Sequence, residues 1–128
     1  MAELALGLMS GTSCDGVSAA LVRLTGRRVE LLAHHTRPYA RHLHRQLRQA
    51  ATLSASELSA LNMTLGASWA RAAVALLRRA RVAPTDVAII GSHGHTIYHG
   101  PRDPVPSTLQ LGQPAVIGEM AAGIVLGP

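Results

Sequence analysis

The sequence predicts an α/β fold, and three features carry that expectation. Apolar, strand-like runs separated by short polar turns fill the chain up to Pro38. A long helical periodicity then begins at a capping box, and an unbroken apolar run follows the helix. Successive strands with short connections pair antiparallel, whereas a strand reached through a helix pairs parallel. The expected plan is therefore a three-stranded antiparallel meander, then helices and further strands.

Leu4 to Met9 and Val17 to Leu24 read as the first two strands, joined by the polar turn Ser10-Gly-Thr-Ser-Cys-Asp-Gly16. Gly26-Arg27-Arg28 is a second turn, and Val29 to Thr36 is the third strand, which Pro38 ends. Arg41 to Ala51 places Leu43 and Leu47 four residues apart among basic residues, the pattern of a short amphipathic helix. Ser54 and Glu57 form a capping box, after which Leu58, Leu61, Leu65, Trp69, Ala72 and Leu76 recur every three or four residues to about Arg81. Gly66 inside that helix costs about 1 kcal/mol relative to Ala, so a close packing partner is expected there.

Ala83-Pro84-Thr85-Asp86 breaks the helix, and Val87 to Ile90 is a buried, parallel strand. Gly91 to Thr96 follows as a polar loop at that strand's carboxyl end, where α/β sheets place ligands. Thr108 to Leu111 is a short strand, and Pro114 to Met120 a short helix with Pro at its first position and Gly123 as its C-cap. Ile124-Val125-Leu126 opens a last strand.

Composition narrows the function classes. Hydrophobic residues make up 48% of the chain, but there is no Phe and one Trp, so the core is aliphatic and rich in Ala. All twelve basic residues are Arg, which excludes a phosphate loop that depends on Lys. The Arg residues are dispersed and not interleaved with aromatics, so the formal charge of +5 argues against nucleic acid and for an acidic small molecule such as a nucleotide. One cysteine, Cys14, permits no internal disulfide, and no apolar run reaches the ~20 residues of a membrane helix. A cytoplasmic protein without membrane partners is the expectation.

The turn after the first strand is the most informative segment. Glycines let a backbone approach a ligand closely, and the hydroxyls of Thr12 and Ser13, with main-chain N–H groups, suit anionic oxygens. Asp15 could hold Mg²⁺ through water, as hard oxygen ligands do. A plain hairpin with a Gly-rich turn is the competing reading of this segment alone. His93-x-His95-x3-His99 also suits zinc chemically, but no Cys, Asp or Glu joins it before Asp103, and a polar ligand-side loop is favoured over a metal site. Nothing near Cys14 in sequence supplies a base, so its thiol reads as incidental. His34, His35, His42 and His44 read as surface residues.

Three blocks in order, GLMSGTSCDGVSAAL (7–21), IIGSHGHTIYHGP (89–101) and TLQLGQPAVIGE (108–119), resemble the N-terminal third of the anhydro-N-acetylmuramic acid kinases, a likeness running from about residue 4 to 126. The resemblance implies an actin/hexokinase-like (ribonuclease H-like) sugar kinase that takes ATP with Mg²⁺ and 1,6-anhydro-N-acetylmuramic acid. Its product is N-acetylmuramic acid 6-phosphate, formed with ring opening by water in cell-wall sugar recycling. It also implies that Gly11, Thr12, Ser13, Cys14, Asp15, Gly16, Val17 and Ser18 form the nucleotide turn, and that His93, Gly94, His95 and Thr96 lie on the sugar side.

Two departures stand out. The family pattern GTSxDGxD has a second acid where this chain has Ser18, and its HGQT appears here as His93-Gly94-His95-Thr96. By the same resemblance the general base lies in a segment beginning DFR, beyond Pro128, so no catalytic residue is assigned within 1–128. The chain is thus expected to be one incomplete N-terminal kinase domain without its C-terminal partner, inactive by itself. It would pair either with a second copy or with a separately encoded C-terminal half. The alternative is a non-catalytic, nucleotide-binding or interaction half of a split kinase.

Overall fold

A computed structural model describes residues 1–10, 13–121 and 123–128. It is a mixed α/β structure. Strands β1 (Ala2–Ser10), β2 (Gly16–Thr25) and β3 (Arg28–Pro38) are followed by helices α1 (Arg41–Arg48) and α2 (Ala55–Ala80). Strands β4 (Val87–Ser92), β5 (His95–Gly100) and β6 (Ser107–Leu111), helix α3 (Pro114–Ala121) and strand β7 (Val125–Leu126) complete the chain.

Five strands form one sheet in the order β3-β2-β1-β4-β7. β1 pairs antiparallel with β2, and β2 with β3, because each is joined to its neighbour by a turn too short for a crossover. β4 returns through the two helices and lies parallel to β1, with Gly7 opposite Gly91 and Leu8 opposite Ser92. β7 lies parallel to β4 on its far side.

Period two then decides which face is buried. Leu6, Leu8, Val17, Ala19, Leu21 and Ile90 all point toward α2 and are buried, while Gly7, Met9, Ser18 and Gly91 are exposed on the other face. α2 supplies the matching stripe, with Leu61, Leu65, Trp69, Ala72 and Leu76 all buried. Its start is held as the sequence predicts: Ser54 Oγ accepts from the Glu57 N–H, and the Glu57 carboxylate accepts from the Ser54 N–H at 2.7 Å. That second bond holds the Glu57 carboxyl below its usual range. Arg81 ends the helix in the left-handed region at φ 56°, with Arg78 and Arg79 in the last turn near the carbonyl end of the dipole.

Gly66 has the close partner expected of it. A Cβ there would lie 2.8 Å from the Gln113 carbonyl oxygen and 3.2 Å from the Val116 Cβ. Across this contact the Gln113 N–H donates to the Asn62 carbonyl, and the Gly112 N–H to Asn62 Oδ1.

The structure corrects two local expectations. The segment 91–96 is not an extended loop: β4 runs to Ser92, and after His93-Gly94 the chain enters β5 at His95. That strand pairs antiparallel with β6 in a separate two-stranded sheet. The helix expected over 41–51 stops at Arg48, and a short 3-10 turn covers Ala50–Thr52.

Candidate functional site

The carboxyl ends of the parallel strands β1 and β4 lie side by side, and the His93 N–H donates to the Leu8 carbonyl at 3.0 Å. Main-chain direction therefore carries the turn after β1 and the segment after β4 to the same edge of the sheet. Ligands of open α/β sheets sit at such an edge.

One buried imidazole joins the two segments. Ser10 Oγ and His95 Nδ1 are 2.8 Å apart, and Cys14 Sγ lies 3.6 Å from His95 Nε2. Burial pushes the His95 pKa down, so the ring is held neutral, with one nitrogen donating and the other accepting. The same burial pushes the Cys14 thiol up; nearby Arg48 opposes that shift and Asp15 adds to it. Cys14 occupies the left-handed region at φ 58°, an uncommon conformation for a side-chain-bearing residue.

Neighbouring groups brace the turn further. His44 Nδ1–H donates to the Cys14 carbonyl at 2.7 Å, and the Tyr39 N–H donates to the Asp15 carbonyl at 2.8 Å. The Tyr39 hydroxyl accepts from the Trp69 indole at 2.8 Å. Burial raises the Tyr39 pKa, while hydrogen bonds from Ser10 and Trp69 oppose that rise. A chain of polar contacts thus runs from the core of α2 to the end of β1.

Beside the turn lies a cavity of about 460 Å³, lined by Ser13, Cys14, Arg48, His95 and Thr96, with Leu47, Ala50, Ala51 and Ile97 as its apolar wall. Among the described residues Arg48 is the one formally charged group in its lining, and no carboxylate is among them. A second hollow of about 450 Å³ lies on the open sheet face, over Gly7, Met9, Ser18, Ala20, Thr36 and Gly91.

The predicted residues divide between these places. Gly11 and Thr12 lie outside the described residues. Ser13, Cys14, His95 and Thr96 share the first cavity, whereas Ser18 and His93 line the hollow on the other face. Ser18 Oγ is 2.9 Å from Thr36 Oγ1, across the β2–β3 pairing. Val17 is fully buried in the core, and its main chain is paired on both sides, opposite Ser10 of β1 and Arg37 of β3, so neither its side chain nor its backbone is open to a ligand. Asp15 is exposed, 3.9 Å from His44 Nδ1, and lines neither hollow.

Gly16 begins β2. Gly94 holds φ 79° where a Cβ would lie 2.8 Å from the Gln110 Cβ, so a larger residue there meets both strain and crowding. Among the described residues no three His, Cys, Asp or Glu side chains converge as a metal site, and no helix is long and apolar enough to cross a membrane.

Sequence reading missed two contacts. Cys14, read as incidental, touches His95, and His44, read as a surface residue, is half-buried and holds the turn. Both partners are distant in sequence. The available clue was geometric: if β1 and β4 pair in parallel, the segments that follow them must meet.

Comparison with known proteins gives the family of the chain. The family model described as anhydro-N-acetylmuramic acid kinase matches residues 3–127. A protein of that name from Caldanaerobacter subterraneus subsp. tengcongensis is 42% identical over 136 residues, covering 96% of this chain and 34% of the relative. Another from Bacillus thuringiensis subsp. konkukian is 39% identical over 122 residues, covering 88% of this chain and 32% of its own length. One from Bacillus cereus is 40% identical over 121 residues, with 87% and 32% covered. The chain spans about a third of the length of these relatives.

Proposed function

Because this chain belongs to the anhydro-N-acetylmuramic acid kinase family, we propose that it supplies the phosphate-gripping part of an ATP-dependent sugar kinase. The acceptor is 1,6-anhydro-N-acetylmuramic acid, and the product is the ring-opened 6-phosphate of cell-wall recycling. The observation that carries this reading is the meeting of the turn after β1 with the segment after β4 at a shared sheet edge, beside an open cavity. The sheet order, with an antiparallel β1-β2-β3 run and parallel β4 and β7, supports an actin/hexokinase-like plan in which nucleotide phosphates lie over that edge. A protein with one cysteine and no disulfide fits the cytoplasm.

In this reading Gly11, Thr12, Ser13, Cys14, Asp15 and Gly16 offer main-chain N–H groups, and Thr12 and Ser13 also hydroxyls, to the ATP phosphates, while Val17 anchors the turn from within the sheet. Asp15, with its side chain exposed, suits Mg²⁺ held mainly through water and phosphate oxygens. A bound Mg²⁺ would supply charge stabilisation of the phosphates. Ser18 points to the other face, so the second acid of the family pattern has no counterpart beside Asp15.

His95 and Thr96 lie on the sugar side of the cavity, with Gly94 setting their approach; His93 lies over the edge. Arg48 lines the cavity, and in this reading its guanidinium pairs with the carboxylate that distinguishes muramic acid from a plain amino sugar. Phosphoryl transfer also needs a base to activate the water that opens the ring. Among the described residues the cavity lining holds no carboxylate, and in this reading the base is assigned, by the family resemblance, to the part of the relatives that this chain does not match.

A coupled ADP-release assay with the anhydro sugar, on this chain and on the chain mixed with a relative's remaining two thirds, tests the assignment. ADP release that requires both the anhydro sugar and the added segment is the expected result. A cavity whose described lining carries an arginine and no acid also suits the alternative, a non-catalytic nucleotide-binding or interaction half, which releases no ADP under either condition.

A further inference from the structure

Resting on the nucleotide reading of the turn, we propose that His95 is a positioning residue that clamps both shoulders of the phosphate turn, so that the segment after β4 sets the shape of the nucleotide grip. Ser10 closes β1 and Cys14 stands at the far side of the turn, and one imidazole bonds to both, at 2.8 Å and 3.6 Å. The partners are 85 and 81 residues away in sequence, so the constraint comes entirely from the fold.

The clamp has a firm base. His95 is 3% exposed and pairs with Leu111 at the start of β5, and the preceding Gly94 has no room for a side chain. The ring also suits its partners chemically. A neutral imidazole presents one donor and one acceptor, a hydroxyl takes either role, and a protonated thiol donates weakly. The family's amide at this position also offers a donor and an acceptor, so the substitution of imidazole for amide keeps the clamp's chemistry. Cys14 sits in the left-handed region, where a turn has cause to relax once released. A turn that spends only part of its time in the binding shape loses affinity by that fraction.

Cys14 is the chain's one cysteine, which provides a direct readout. The experiment compares the full chain with His95→Gln, His95→Leu and Ser10→Ala, measuring iodoacetamide labelling of Cys14 under native conditions and MgATP affinity by calorimetry. Expected for His95→Leu, which keeps most of the volume without the polar atoms, is about tenfold faster labelling and about tenfold weaker MgATP binding. His95→Gln should restore both to within about threefold of the native chain. Labelling within twofold of native in His95→Leu overturns the clamp. So does a His95→Gln chain as impaired as His95→Leu, since volume and not hydrogen bonding would then be at work.

If circular dichroism shows His95→Leu unfolded, Ser10→Ala decides alone: severalfold faster labelling supports the clamp and an unchanged rate overturns it. Should labelling respond as expected while the native chain binds no MgATP, the clamp stands and the nucleotide reading falls.

Discussion

Replacing Gly66 by Ala sets a helix preference against a packing contact, and the structure decides the sign. In the interior of α2 the change favours the helix by about 1 kcal/mol. The new methyl, however, meets the Gln113 carbonyl oxygen at 2.8 Å, its nitrogen at 3.1 Å and the Val116 Cβ at 3.2 Å. None of these is the loose end of a flexible side chain. The Gln113 oxygen accepts from the N–H groups of Val116 and Ile117, and the Gln113 nitrogen donates to Asn62.

Relief therefore means shifting the start of α3 off α2. Overpacking of this kind costs roughly 1–3 kcal/mol. Each hydrogen bond stretched at Asn62 adds about 1 kcal/mol. With one such bond stretched and the helix gain set against it, the net is a loss of about 1–3 kcal/mol. At roughly 4 °C per kcal/mol for a domain of this size, thermal unfolding followed by circular dichroism should show Tm lower by about 4–12 °C. A variant as stable as the native chain, or more so, would refute the claim that α3 docks through this glycine. The dock also matters to the site, because Gly112 at its edge lies against Gly94, just before His95.

Three further outcomes are expected. Tyr39→Phe leaves the buried Trp69 N–H without its acceptor, which should cost about 1–3 kcal/mol in urea unfolding; an unchanged midpoint would show the 2.8 Å bond to be inconsequential. Ser54→Ala removes the N-cap of α2 and should cost about 1 kcal/mol, read from the same curves. The pH dependence of Tm should carry the mark of His95. Its folded pKa lies below 6.5, so as pH falls through the unfolded value near 6.5 the unfolded chain takes up a proton the folded chain resists. That contribution to stability is fully present above pH 6.5 and is lost progressively as pH drops toward the folded value. His95→Gln should flatten this part of the profile, and an identical slope in both proteins would contradict it.

What the sequence made legible was local. The α2 helix could be read to within a residue or two because its cap, its stripe and its basic last turn all lie within the helix itself. β1, β2 and β3 were legible for the same reason, each pairing with its sequence neighbour. β5 was not, since its polar first residues look like a loop until β6, across an intervening turn, supplies the ladder. The site divides along the same line. The glycines and hydroxyls of the turn announce themselves, but Cys14 gains its meaning from a histidine that only the parallel β1–β4 pairing brings near. Val17 and Ser18 show the limit of motif reading: adjacent in a strand, they point to opposite faces, one into the core and one to solvent.

Amide-resolved NMR titration with MgATP probes the phosphate grip most directly. Saturable shifts should concentrate in residues 10–16, with smaller ones relayed through His95 to 93–96. Shifts confined to the open sheet face around Ser18 and Thr36, or none at millimolar nucleotide, would mean that the turn after β1 does not hold phosphate.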